Sequence, residues 1–281
     1  MRLGQVKLEN KTSAAIFEGG LARAVPGYSM VDLIRKAETE AVPLTELVRE
    51  MASHHPVDAA PLIPINPVEV WACGCTYDAA AGFRCQWHDM EGSIYRQVCQ
   101  QERPDLLFKG TARVCVGPGQ AIGIRFDSQC TLPEPELALV LGRKGRIVGY
   151  TLADDLWARD IERVNPLYRP QSRIYTASCA LGPVIVTADE LKDPYALSIA
   201  CAIMRGAEQR FSSAVSTLHL RRKLDHVVSY LLRSNPVPAG SVLLTGTGIK
   251  IGDECALAPG DVVRISNAEI GELVNPAAVV Q

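Results

Sequence analysis

Leu132–Asp160 reads LPEPELALVLGRKGRIVGYTLADDLWARD. Side chains at i and i+2 of a strand share a face, so Glu134 and Glu136 point one way and Leu137, Leu139 and Leu141 the other. Gly142-Arg143-Lys144-Gly145 predicts a tight turn, and RIVGYTLADD a return strand. A hairpin centred between Lys144 and Gly145 sets Glu134 opposite Asp155 and Glu136 opposite Ala153, with opposed Cβ atoms about 5 Å apart. A slip of one residue would bring Asp154 to the glutamates' side instead. Three bare carboxylates so close repel unless protonated or neutralised, and an oxygen-preferring cation (Mg²⁺, Mn²⁺ or Ca²⁺) meets that need. The alternative is a solvated acidic edge strand marked by Pro135.

Outward from the hairpin, short apolar runs recur between Gly and Pro: VEVWACGC, ARVCVGPG, LGPVIVT, YALSIACAIM, GSVLLTGT and GDVVRI. The fold class expected is α+β and β-rich. One helix interrupts the runs, expected over residues 217–233 with Leu220, Leu224, Val227, Val228 and Leu231 as its buried stripe. Upstream, RLGQVKLEN, SAAIFEGG and LARAV read as short strands. Ser29 is an N-cap for MVDLIRKAETEAV, and a second short helix, LTELVREMA, follows Pro43. Pro56, Pro61, Pro64 and Pro67 break up the next stretch. The division expected is a small N-terminal α+β cap over residues 1–60 and a main domain over 68–281.

The 281 residues are 47% hydrophobic and 21% charged, enough to bury a sizeable core, and the formal charge of -2 provides no basic field for a nucleic-acid partner. No apolar run approaches the ~18 residues of a membrane span, and the N-terminus does not read as a signal peptide, so a cytoplasmic protein is expected. The nine cysteines contain no C-x-x-C pair and are expected as reduced, packed thiols. A zinc site of Cys73, Cys75, Cys85 and His88 would need a non-standard spacing.

The ordered set PVEVWACGCTY, RPDLLFKG, PEPELALVLG, GYTLADDLWARDIE, NPLYRPQSRIYTASCALGP, LLTGTGI and PGDVVRI followed by IGELVN resembles the fumarylacetoacetate hydrolase superfamily. NPLY…PQ…SCALGP and LLTGTG look most like the branch containing 2-keto-3-deoxy-D-arabinonate dehydratase. The resemblance implies a mixed, rolled β-sheet, a homodimer or homotetramer, and one Mg²⁺-type ion per subunit. Its E-x-E and G-Y-x-x-x-x-D ligands fall on Glu134, Glu136 and Asp155, which favours Asp155 over Asp154. It implies a small 2-oxo acid as substrate and a lyase that dehydrates a 2-keto-3-deoxy acid or related compound. A C–C hydrolase, decarboxylase or tautomerase, and a metal-binding paralogue of low activity, are the alternatives on the same scaffold.

Further site residues follow from the resemblance. Asp105, Lys109 and Arg173 are the implied catalytic groups, and Tyr77, Arg173, Thr245, Gly246 and Thr247 the implied substrate contacts. Arg159 and Asp160 are read as an ion pair supporting the metal carboxylates. The chain also departs from the pattern. Ala80 stands where hydrolases of the superfamily carry a water-activating histidine. Asp105 replaces a glutamate and retracts the carboxylate by about 1.5 Å. Arg173 replaces a lysine and is a poor base but a good carboxylate clamp. Thr176 stands where branch members often carry an acid.

Overall fold

The computed structural model describes residues 1–77 and 97–281. Ala80, Cys85 and His88 therefore lie outside the described residues. Three strands, β1 (Arg2–Leu8), β2 (Lys11–Glu18) and β3 (Leu21–Val25), form an antiparallel meander, followed by helices α1 (Met30–Thr39) and α2 (Leu44–Met51). Ser29 accepts from the Asp32 N–H, and the Asp32 carboxylate accepts in return from the Ser29 N–H, a reciprocal capping box.

Seven further strands complete the ten-stranded sheet: β4 (Val70–Gly74), β5 (Asp105–Gly110), β6 (Cys115–Val116), β9 (Pro135–Leu141), β10 (Ile147–Asp155), β12 (Cys179–Thr187) and β15 (Ser241–Leu244). Their order is β3-β2-β1-β12-β10-β9-β15-β4-β5, with β6 against β12. A five-stranded sheet holds β14 (Glu208–Ser216), β13 (Ser198–Arg205), β16 (Val262–Asn267), β17 (Gly271–Val280) and β7 (Ile122–Arg125) in that order. A short two-stranded sheet pairs β8 (Thr131–Leu132) with β11 (Trp157–Ala158). Most pairs are antiparallel, but β4–β15, β6–β12 and β7–β17 are parallel, so the sheets are mixed.

β9 is central, paired to β10 and β15, and buried along its whole length. Leu137, Leu139 and Leu141 join the core shared with Ile199, Ile203, Val263 and Ile265 of the five-stranded sheet. Ala138 and Val140 join a second core with Met30, Leu33, Ile34, Leu47 and Val48 of α1 and α2. The expected boundary between residues 1–60 and 68–281 does not interrupt this packing. β1 hydrogen-bonds to β12, and Ile65, within the proline-rich stretch, is fully buried in the second core.

The helix expected over 217–233 is shorter, Leu224–Leu231 (α5). Residues 217–219 make a single 3₁₀ turn, Leu220 bridges to Tyr77, and the Arg221 N–H donates to the Thr76 carbonyl, so tertiary partners take the bonds a first helical turn would need. Among the described residues no helix is long and apolar enough to cross a membrane.

Candidate metal centre and active site

The β9–β10 hairpin turns through Lys144 and Gly145, both at positive φ (57° and 72°), and Ile147 faces Leu141. The next pair is Gly149 with Val140, so Val148 is an extra residue on β10 and the register advances by one. Gly149 tolerates this because a Cβ there would sit 2.6 Å from the Val186 carbonyl of β12. Downstream of the bulge Ala153 faces Glu136, and the Asp155 N–H donates to the Glu134 carbonyl at 3.0 Å.

Carboxylate oxygens of Glu134, Glu136 and Asp155 consequently lie within 4.8 Å of one another, and all three residues are buried. This excludes the solvated edge. Burial raises the Glu136 pKa well above the ordinary glutamate range, and repulsion from Asp155 and Glu134 adds to it. Asp154 points away from the triad, accepts the Glu134 N–H at 2.9 Å, and is pushed up by burial to about 7. An all-oxygen donor set of three acids suits a hard divalent cation in a way that a thiol or imidazole site would not. Among the described residues this is the single acid, thiol or imidazole cluster with that geometry; Cys73 and Cys75 are buried outside it.

Protein donors orient each carboxylate. Asp155 Oδ1 pairs with Lys109 Nζ at 2.6 Å, and Asp155 Oδ2 with Arg173 Nη1 at 3.1 Å. The same Arg173 nitrogen donates to Glu134 Oε2. Glu136 Oε2 accepts the Gly246 N–H at 2.5 Å. Gly246 has φ +86°, and a Cβ on it would lie 2.2 Å from Thr76 Oγ1, so both the backbone conformation and the space call for glycine.

Arg173 ends α4 (Arg169–Arg173), and with Arg169 one turn earlier it lines a pocket whose other walls include Gly74, Leu107, the triad and Thr247. Behind Arg173 lies α3 (Arg159–Val164), whose buried Glu162 Oε2 accepts from Trp157 Nε1 at 2.6 Å and Ser172 Oγ at 3.0 Å.

Not every residue expected at the site meets the pocket. Tyr77 is 1% exposed and packed in the core between the sheets, where burial pushes its phenol up. Thr245 ties its loop to β9 by donating to the Leu137 carbonyl, and Thr247 Oγ1 accepts from the Ile249 N–H. Lys109, fully buried, reaches Asp155 and the carbonyls of Leu156 and Arg173. Arg159 pairs with Asp253 at 2.6 Å, while Asp160 accepts from Ser128 Oγ and the Gln129 N–H, so these two do not pair with each other. Asp105 pairs with Arg169 at 2.5 Å across Gly74, where a Cβ would lie 2.2 Å from Asp105 Oδ2. Sequence reasoning missed Arg169, Gly74, Trp157 and Glu162. The spacing of Arg169 and Arg173 in R-P-Q-S-R, one helical turn, was the available signal.

Residues 79–278 match the family model for the fumarylacetoacetate (FAA) hydrolase C-terminal domain. A 2-dehydro-3-deoxy-D-arabinonate dehydratase of Saccharolobus solfataricus is 46% identical over 216 residues, 76% of this chain and 72% of the relative. A probable 2-keto-3-deoxyxylonate dehydratase of Haloferax volcanii is 40% identical over 224 residues, 80% of this chain and 77% of the relative. Among solved structures, a 2-keto-3-deoxy-D-arabinonate dehydratase complexed with magnesium and 2,5-dioxopentanoate is similar with a TM-score of 0.84 at 37% identity, covering 100% of both chains. The matched model spans most of the sequence and includes the buried triad, and the chain belongs to the fumarylacetoacetate hydrolase C-terminal family.

Proposed function

We propose that this chain is a divalent-metal-dependent carbon–oxygen lyase that dehydrates a 2-keto-3-deoxy sugar acid. The observation that carries the reading is the convergence of Glu134, Glu136 and Asp155 in a pocket also lined by Arg169 and Arg173. Those three residues would hold the ion, with Mg²⁺ the assignment and Mn²⁺ or Ca²⁺ the alternatives. When bound, a hard divalent cation supplies Lewis acidity that polarises the 2-oxo group and makes C3–H acidic.

The chain's own residues do the rest. Arg173 receives the substrate carboxylate, for which a planar guanidinium is matched. Lys109 fixes Asp155 and, through the Arg173 carbonyl, the end of α4. Asp105, held by Arg169 beside Gly74 at the pocket wall, is the group assigned to take the C3 proton. Loss of the C4 hydroxyl then completes removal of one water. For a 2-oxo-4,5-dihydroxypentanoate, the dehydrated species then moves one hydrogen from C5 and the proton of its hydroxyl, one each, to C3 and C4, which yields 2,5-dioxopentanoate, the compound in the related complex. Ala80, where hydrolases of the superfamily carry the histidine that activates water, speaks against C–C hydrolysis.

The test is turnover of 2-keto-3-deoxy-D-arabinonate with Mg²⁺, followed by NMR, with chelated enzyme and Glu136→Gln as controls. Formation of 2,5-dioxopentanoate that both controls abolish is expected. Keto–enol exchange of oxaloacetate without any dehydration would replace the reading with a tautomerase, the activity named for a Xenopus laevis relative 32% identical over 186 residues.

A further inference from the structure

Arg173 joins two members of the triad through one nitrogen, and it is itself held from behind. Its guanidinium carbon lies 5.0 Å from the centre of the Trp157 ring, within cation–π range. Its Nε is 3.8 Å from Glu162 Oε2, and Glu162 is fixed in turn by Trp157 Nε1 and Ser172 Oγ. Trp157 and Glu162 are both buried. Such a set holds a planar cation over the carboxylates from its ring face and from its Nε side.

The charges make the consequence definite. Among the described residues, Glu134, Glu136 and Asp155 at the centre, with Glu162 behind Arg173, face two cations, Lys109 and Arg173, so acidic groups outnumber basic ones. A divalent ion offsets that excess, which weakens the hold of the carboxylates on the Arg173 guanidinium and favours a ligand carboxylate beside it. Uncompensated charge is costly in a buried site, so the two arrivals favour each other.

We propose that Arg173 couples the ion to the anionic ligand. The guanidinium and the divalent ion compete for Glu134 and Asp155, and ion binding transfers the guanidinium to the ligand's carboxylate. Trp157 and Glu162 are positioning residues that keep it over the pocket during the exchange. This rests on the proposed function only for a divalent ion and a carboxylate-bearing ligand, and it is independent of which bond the enzyme breaks. It is specific to arginine at position 173, because its charge cannot be titrated away.

Calorimetric titration of the full chain with Mg²⁺, alone and with oxalate, tests the coupling; oxalate must tighten Mg²⁺ by the factor that Mg²⁺ tightens oxalate. Arg173→Met should bind Mg²⁺ alone at least as tightly as wild type and lose about tenfold of the coupling factor, after correction for Mg²⁺–oxalate association in solution. Glu162→Gln, which keeps an acceptor for Trp157 and Ser172 but no charge toward Arg173, should lose about threefold with Mg²⁺ affinity alone nearly unchanged. If Arg173→Met does not fold, Glu162→Gln decides. Wild-type coupling in the folded variants overturns the inference and leaves the lyase reading standing. Mg²⁺ binding and coupling as described, but without dehydration of any sugar acid, overturns the reading and leaves the inference. No Mg²⁺ binding by the wild type ends both.

Discussion

Asp155 hydrogen-bonds to Glu134 across the hairpin, N–H to carbonyl at 3.0 Å, only because Val148 is one residue too many on its strand. Without that bulge the turn register would continue, and Asp154 would take the place opposite Glu134. Two adjacent aspartates therefore have separate fates. Asp155→Asn should abolish the rise in Tm that Mg²⁺ produces, whereas Asp154→Asn should keep it, since an amide oxygen still accepts the Glu134 N–H. At a Mg²⁺ concentration about a hundred times Kd the stabilisation available is about 2.7 kcal/mol, well within reach of a thermal-shift measurement. Equal loss in both variants would mean that the register is wrong.

The buried Asp154 makes the stability of the metal-free protein depend on pH. Its carboxyl titrates near ~3.9 in an unfolded chain and at about 7 in the fold, raised by burial. Below pH ~4 it is protonated in both states and costs nothing. As pH rises toward 7 the unfolded chain releases its proton first, so wild type loses stability, and above 7 the penalty is constant. Asn carries no such proton. In EDTA, Asp154→Asn should gain roughly 1–4 kcal/mol on wild type between pH 4 and 7.5. Urea melts at the two pH values read this directly, and a gain independent of pH would refute the assignment.

The triad was legible in the sequence because strand periodicity alone puts Glu134 and Glu136 on one face. The partner strand could be placed only to within a residue, since a bulge leaves no mark in the apolar pattern of RIVGYTLADD. Ser29 was legible for a similar local reason: its reciprocal bonds with Asp32 span three residues. The longer helix expected over 217–233 failed because Leu220 and Arg221 bond to the chain at residues 76–77, far away in sequence. β14 went unread because Glu208–Ser216 is mostly polar, an edge strand with little buried surface. Trp157 and Glu162 were invisible for another reason: what they do depends wholly on where α3 and α4 meet.

Gly246→Ala tests the loop that follows β15. The substitution forces an L-residue to φ +86° and drives a methyl group to 2.2 Å from Thr76 Oγ1 and 2.7 Å from the Cys73 carbonyl. The strain should cost on the order of 1–3 kcal/mol of stability. The same shift pulls a hydrogen bond from Glu136, so Mg²⁺ affinity should fall as well. Destabilisation with unchanged Mg²⁺ affinity would show that the Gly246 N–H does not orient this ligand.

Gly74→Ala separates the proton-moving group from the metal. Gly74 faces Asp105 in the β4–β5 register, and its missing side chain is what makes room for the Asp105 carboxylate beside Arg169. An added Cβ would lie 2.2 Å from Asp105 Oδ2, its three nearest neighbours are side-chain atoms of Asp105 and Arg169, and φ at this position is unstrained. The carboxylate, at the end of a short side chain, is the group that gives way. Misplacing a reacting group by about 1 Å costs on the order of a hundredfold in rate. Gly74→Ala should therefore fold, keep the Mg²⁺-dependent rise in Tm, and lose about ten- to a hundredfold in kcat. A variant with wild-type kcat would remove Asp105 from proton transfer, and one that also lost the Mg²⁺ response would place Asp105 among the supports of the metal centre.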